Sequence, residues 1–137
     1  VRGAVRLVTA LGAVALGCAE PTDPALCEGV IEVGCDGGIP GSSLDDASGT
    51  WVSSPWVGPH VSYPKYTTLR LCHGLGRPPA SVEVWAGFAQ TGSVAQQIGS
   101  AAIVIPACGT DPGVTDRSVL IRNGGGQDFF ARFVLRP

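Results

Sequence analysis

Glycine and proline interrupt this chain so often that long regular elements have little room: 20 Gly and 11 Pro fall among 137 residues. Gly weakens a helix through backbone entropy, and Pro removes a donor and clashes with the preceding turn. Between the breaks, short segments alternate in polarity. In residues 66–73, Thr67, Leu69 and Leu71 share one face and Thr68 and Arg70 the other. In residues 81–88, Val82, Val84, Ala86 and Phe88 share a face, with Trp85 opposite. Period-two alternation marks half-buried strands. Six to eight such strands predict an all-β chain, a small antiparallel β-sandwich of jelly-roll or immunoglobulin-like type, with a small barrel as the alternative. Residues 101–106, apolar on both faces, are expected to lie centrally and to end at Pro106. Residues 117–122 and 128–136 flank Asn123-Gly-Gly-Gly-Gln127 and read as a β-hairpin around an Asn-Gly turn.

The N-terminal end carries a different signal. Arg2 and Arg6 precede the uncharged run 7–17, which stops at Cys18. A basic start, an apolar stretch of about a dozen residues and a small residue before the cut describe a secretory signal. The stretch is too short to span a bilayer, which takes about 20 apolar residues. The run Ala15-Leu16-Gly17-Cys18 resembles the lipobox of bacterial lipoproteins. The resemblance implies that Cys18 is lipidated and becomes the mature N-terminus, anchoring the protein to a membrane. With Ala19 at the sorting position, it implies the outer membrane of the cell envelope. Cleavage after Ala19, giving a freely secreted protein, is the alternative.

Assigning Cys18 to lipid leaves Cys27, Cys35, Cys72 and Cys108, an even set suited to two disulfides in an oxidising envelope. Three connectivities are open. The preferred one is Cys27–Cys35, pinning an N-terminal arm, with Cys72–Cys108 joining two strand ends. The expected organisation is therefore signal peptide 1–17, an extended Pro-broken tether 18–26, an acidic Gly-rich arm 27–49 and the sandwich 50–137. Seven acids and no base lie between Cys18 and Asp46, so the arm is expected to be solvated, folding back on the mildly basic body being the alternative. Without the signal the chain has seven bases against eleven acids, which argues against nucleic acid as a partner.

Four groups of residues are candidates for chemistry. Trp51, Trp56, Tyr63 and Tyr66 lie in a Pro-interrupted stretch and could stack on sugar rings; the ordinary reading puts the two tryptophans in the core. Asp36, Asp45 and Asp46 in a Gly-rich loop could offer oxygens to calcium, although no EF-hand spacing is present and a solvated loop is the plainer expectation. His60 and His73 are the only histidines and are expected at the surface. Ser62 and Lys65 match an S-x-x-K string, but Pro64 opposes the helix that such a site needs. The sequence thus predicts a lipid-anchored envelope protein, not an enzyme, whose sandwich serves a structural or interaction role with envelope proteins or glycans. A carbohydrate-binding module using Trp51 to Tyr66 is the alternative, and a hydrolase with an unrecognised site is a weaker one.

Overall fold

A computed structural model describes residues 23–99 and 102–137. The signal segment, Cys18 and the start of the tether lie outside the described residues. The remainder is nearly all-β, as the alternation and turn density predict. Its strands are β1 (Ile31–Val33), β2 (Ser43–Asp45), β3 (Thr50–Val52), β4 (Val61–Tyr63), β5 (Thr68–Cys72) and β6 (Ser81–Gly87). They continue with β7 (Gln96–Ile98), β8 (Ala102–Ile105), β9 (Ala107–Cys108), β10 (Asp111–Pro112), β11 (Ser118–Asn123) and β12 (Phe129–Arg136).

Two sheets form the sandwich. The first has the order β1-β5-β11-β8. The second has the order β2-β3-β12-β6-β7, with β4 also pairing the start of β12. The pairings are antiparallel except β1 with β5, which is parallel. Leu69, Leu71, Val119 and Ile121 of the first sheet meet Val84, Ala86, Phe133 and Leu135 of the second in one core. Each set comes from alternate positions of its strand, as a pleated ribbon dictates.

Several expectations are corrected. Residues 117–122 and 128–136 do not form a hairpin: β11 lies in the first sheet and β12 at the centre of the second. Both strands have core-facing side chains, so the chain crosses between sheets rather than doubling back within one. Asn123 fixes this crossing instead of a tight turn. Its buried amide donates to the carbonyls of Tyr63 and Gln127, each at 2.9 Å, and its Oδ1 accepts from the Gly125 N–H. The apolar run 101–106 is not central either, because β8 is an edge strand. Ile105 alone of its large side chains is fully covered, beneath the 106–113 turn. A side chain at Gly113 would collide with the Ile105 carbonyl, so only glycine lets that turn close.

The disulfides are Cys27–Cys108 and Cys35–Cys72, not the predicted pairs. The reason lies in the arm. Residues 31–33 join the first sheet beside β5, and 43–45 join the second beside β3. Cys35 is thereby carried to the end of β5, next to Cys72. The arm thus folds back onto the body along two sheet edges while its acids Glu28, Glu32, Asp36, Asp45 and Asp46 stay exposed, and Glu32 lies 4.0 Å from Arg70, which also pairs with Asp111. The end of the tether is likewise docked rather than extended. Pro24–Cys27 forms a 3-10 turn capped by Asp23, and Thr68 Oγ1 donates to the Leu26 carbonyl at 2.5 Å.

Candidate functional site

On β12, Ala131, Phe133 and Leu135 face the core, so Arg132 must face outward on the second sheet. Its cross-strand partner is Trp85 of β6, and Trp85 in turn pairs with Gln97 of β7. Onto this row the loop between β3 and β4 lays Trp56. The Arg132 guanidinium sits 4.0 Å from the centroid of the Trp56 ring, and Trp85 meets that ring edge-on at 5.1 Å and 83°. Such cation–π and T-shaped contacts are each worth about 0.5–1.5 kcal/mol. Trp56 is nevertheless 51% exposed, an unusual condition for so large an apolar ring held in place.

The loop is tied down along its length. Ser53 exchanges two bonds with Phe133: its N–H donates to the Phe133 carbonyl at 3.0 Å, and its Oγ accepts from the Phe133 N–H at 2.9 Å. Arg132 Nε donates to the Ser54 carbonyl at 2.8 Å. At the far end the His60 N–H donates to the Gln90 carbonyl at 2.8 Å. The His60 ring donates from Nε2 to the Trp56 carbonyl at 3.1 Å, which places its proton on that nitrogen. Opposite, Gly92 has φ +72°, and a side chain there would strike both the Trp56 carbonyl and the His60 ring. Burial draws Arg132 below its ordinary value, and the charge of Glu83 opposes this.

The four aromatic candidates are split. Trp51 is core, 4% exposed, and Tyr63 is fully buried against Phe133 with ring centroids 5.4 Å apart. Burial pushes the Tyr63 phenol above its usual range. Strand alternation turns both rings inward, away from the Trp56 face. Trp56 and Tyr66 are exposed, Tyr66 beside Gly126 at the sheet crossing. Trp85 and Arg132 complete the Trp56 cluster. Trp85 stood out in the sequence as the residue opposite Val84, but nothing local pairs it with residue 132.

The remaining candidates have local roles. Asp45 caps its own turn, accepting from the Ala47 N–H and the Ser48 hydroxyl, and the Ser48 bond lowers its pKa first and foremost. Among the described residues no three His, Cys, Asp or Glu side chains converge, so Asp36, Asp45 and Asp46 do not form one ligand set. His60 is 2% exposed rather than at the surface, because its ring closes the Trp56 loop. His73 is partly buried, 6.2 Å from the Trp51 ring, and its Nδ1 accepts from the Leu75 N–H at 3.2 Å. Ser62 lies in β4 rather than in a helix.

Two concavities lie apart from Trp56. One, about 580 Å³, is apolar and lined by Ala86, Phe88, Val94, Ile98 and Phe129. The other, about 360 Å³, is more polar and contains the Cys35–Cys72 bridge, Trp51, His73 and Arg117. No helix among the described residues is long and apolar enough to cross a membrane. Set against known proteins, the chain matches no family model, no curated protein and no solved structure.

Proposed function

We propose that this chain is a non-catalytic interaction module of the bacterial cell envelope, held to a membrane by lipid on Cys18. The observation that carries the interaction role is Trp56, a half-exposed ring kept upright by Arg132, Trp85 and the His60-closed loop. A ring fixed in place before binding has little entropy left to lose when a partner covers it. The two bridges use all four body cysteines, which supports reserving Cys18 for lipid. The first test is the mass of the mature N-terminus of the exported protein and of Cys18→Ser. Lipid mass on Cys18, absent from the variant, is expected; an unmodified N-terminus at Glu20 overturns the anchor.

The same ring favours a glycan as the partner. The apolar face of a pyranose stacks on an indole, and Gln97, exposed on the same row, can bond hydroxyls. Titration with envelope polysaccharides should change tryptophan fluorescence in the wild type and not in Trp56→Ala. An unchanged response in a folded Trp56→Ala removes the glycan reading.

A further inference from the structure

Between Glu83 and Asp111 lie 27 residues, 84–110, without a single Asp, Glu, Lys, Arg or His. This run supplies one edge strand of each sheet, β7 in the second and β8 in the first, the opposite edges being β2 and β1. Sheet edges expose unpaired N–H and C=O groups, and proteins ordinarily guard them with charge, proline or a bulge. Within β8, Ala-Ile-Val-Ile, no such guard exists. Ile103 is 40% and Val104 39% exposed. Of the nine exposed large hydrophobic residues described, four (Phe88, Val94, Ile103 and Val104) fall in this run, so its apolar character reaches the surface. The nearest charge in register is Arg122, opposite Ile103 on β11, and its guanidinium reaches across the sheet to Thr68 Oγ1, away from the edge.

Outside the run, the described residues carry ten acids against seven bases. Two copies meeting there bring like excess charge together, whereas the β8 side brings none and offers nothing to an ionic partner. An antiparallel strand is also complementary to its own copy across a two-fold axis.

We infer that the β8 edge is where two copies of this chain associate, pairing antiparallel so that two four-stranded sheets become one. The side-chain alternation limits the register. Opposed residues must lie on the same face of the joined sheet, so the axis passes through a residue and not between two. An axis at Val104 sets Pro106, which has no N–H, opposite Ala102 of the second copy. An axis at Ile103 sets Ile103 against its own copy, with Ala102 against Val104; the Ala102 N–H already donates to the Gly99 carbonyl at 3.1 Å, so the bond in this register runs from the Val104 N–H to the Ala102 carbonyl. This inference rests on neither the anchor nor Trp56.

The test is the mass of the exported protein by light scattering and sedimentation across a range of concentrations. A concentration-dependent dimer is expected. Ile103→Lys sets two like charges face to face and should raise the dimer dissociation constant at least about tenfold. Ile103→Thr, which keeps the β-branched shape, should weaken it in the same direction if the lysine variant does not fold. Tyr66→Lys, elsewhere on the surface, should leave it unchanged. Circular dichroism and melting establish that each variant is folded. A wild type that stays monomeric to about millimolar concentration overturns the inference, including the case in which another protein's extended segment fills the edge. Folded Ile103 variants that dimerise as before overturn it too.

Discussion

Arg132 holds Trp56 twice over: its guanidinium lies against the indole at 4.0 Å, while its Nε bonds the carbonyl of Ser54, two residues earlier in the same loop. One side chain thus sets both the backbone that carries the ring and the ring itself. Arg132→Ala should lower stability by roughly 2–4 kcal/mol, since a buried charged hydrogen bond and a cation–π contact are lost together. Arg132→Lys keeps the charge but has no equivalent of the fixed Nε–H, and should recover less than half of the loss. Urea unfolding measures both; a loss below about 1 kcal/mol in the alanine variant speaks against this double role.

Gly92→Ala tests the other side of the loop. Its left-handed φ and the absence of space for a side chain require the Trp56–His60 segment to move if the variant folds. The expected effect is a destabilisation of about 1–3 kcal/mol. Trp56 should also become more solvated, seen as a red-shifted emission that is missing when Trp56→Phe is combined with Gly92→Ala. An unshifted spectrum would mean that the loop keeps its seat without Gly92.

How much of this was legible in the sequence depends on whether the determinant was local. The alternation in 66–73 and 81–88 reports a pleat, and Leu69, Leu71, Val84 and Ala86 are core as that pattern requires. Asn123-Gly124 looked like a hairpin because a turn signal says only that the chain bends, not whether the next strand stays in the same sheet. Residues 101–106 read as central because apolarity on both faces does not report whether a strand has one neighbour or two; β8 has one, and Ile103 and Val104 stay exposed. The Trp56 site is half visible in the sequence: Trp56 stands in an aromatic, Pro-interrupted stretch, whereas Arg132, 76 positions later, reaches it only through the register of β12 with β6. Phe88, grouped by alternation with the core face, emerges exposed because β6 ends at Gly87.

Peptide mapping without reduction should link Cys27 to Cys108 and Cys35 to Cys72; a Cys27–Cys35 peptide would contradict the placement of β1 beside β5. The bridges join residues 81 and 37 positions apart. Loop entropy gives each about 4 kcal/mol of stabilisation, less than additive because the closed loops overlap. Replacing both cysteines of either pair with serine should therefore lower the unfolding free energy by a few kcal/mol, read from chemical denaturation.

Stability should fall in mild acid in a manner that depends on His73. Burial depresses its pKa, with the Thr115 carbonyl and Asp116 pulling the other way. The unfolded chain, with an ordinary value of about 6.5, therefore takes up its proton first. As pH drops below that value the unfolded state is favoured, and the loss continues until the folded-state pKa has been passed. His73→Gln should show a shallower decline than wild type over that window. Parallel pH profiles for the two proteins would show that the ring titrates alike folded and unfolded.

The Cys27–Cys108 bridge has a mechanical meaning. A pull entering the chain at its N-terminal side reaches Cys27 before it reaches β1, and the sulfur bridge hands it to the turn that follows β8. The three-residue β1, fastened by few hydrogen bonds, is spared the load and cannot be peeled away first. Strain imposed from upstream of residue 23 therefore enters the body through a covalent strut beside β8, an edge strand of the first sheet, while Trp56 lies on the second.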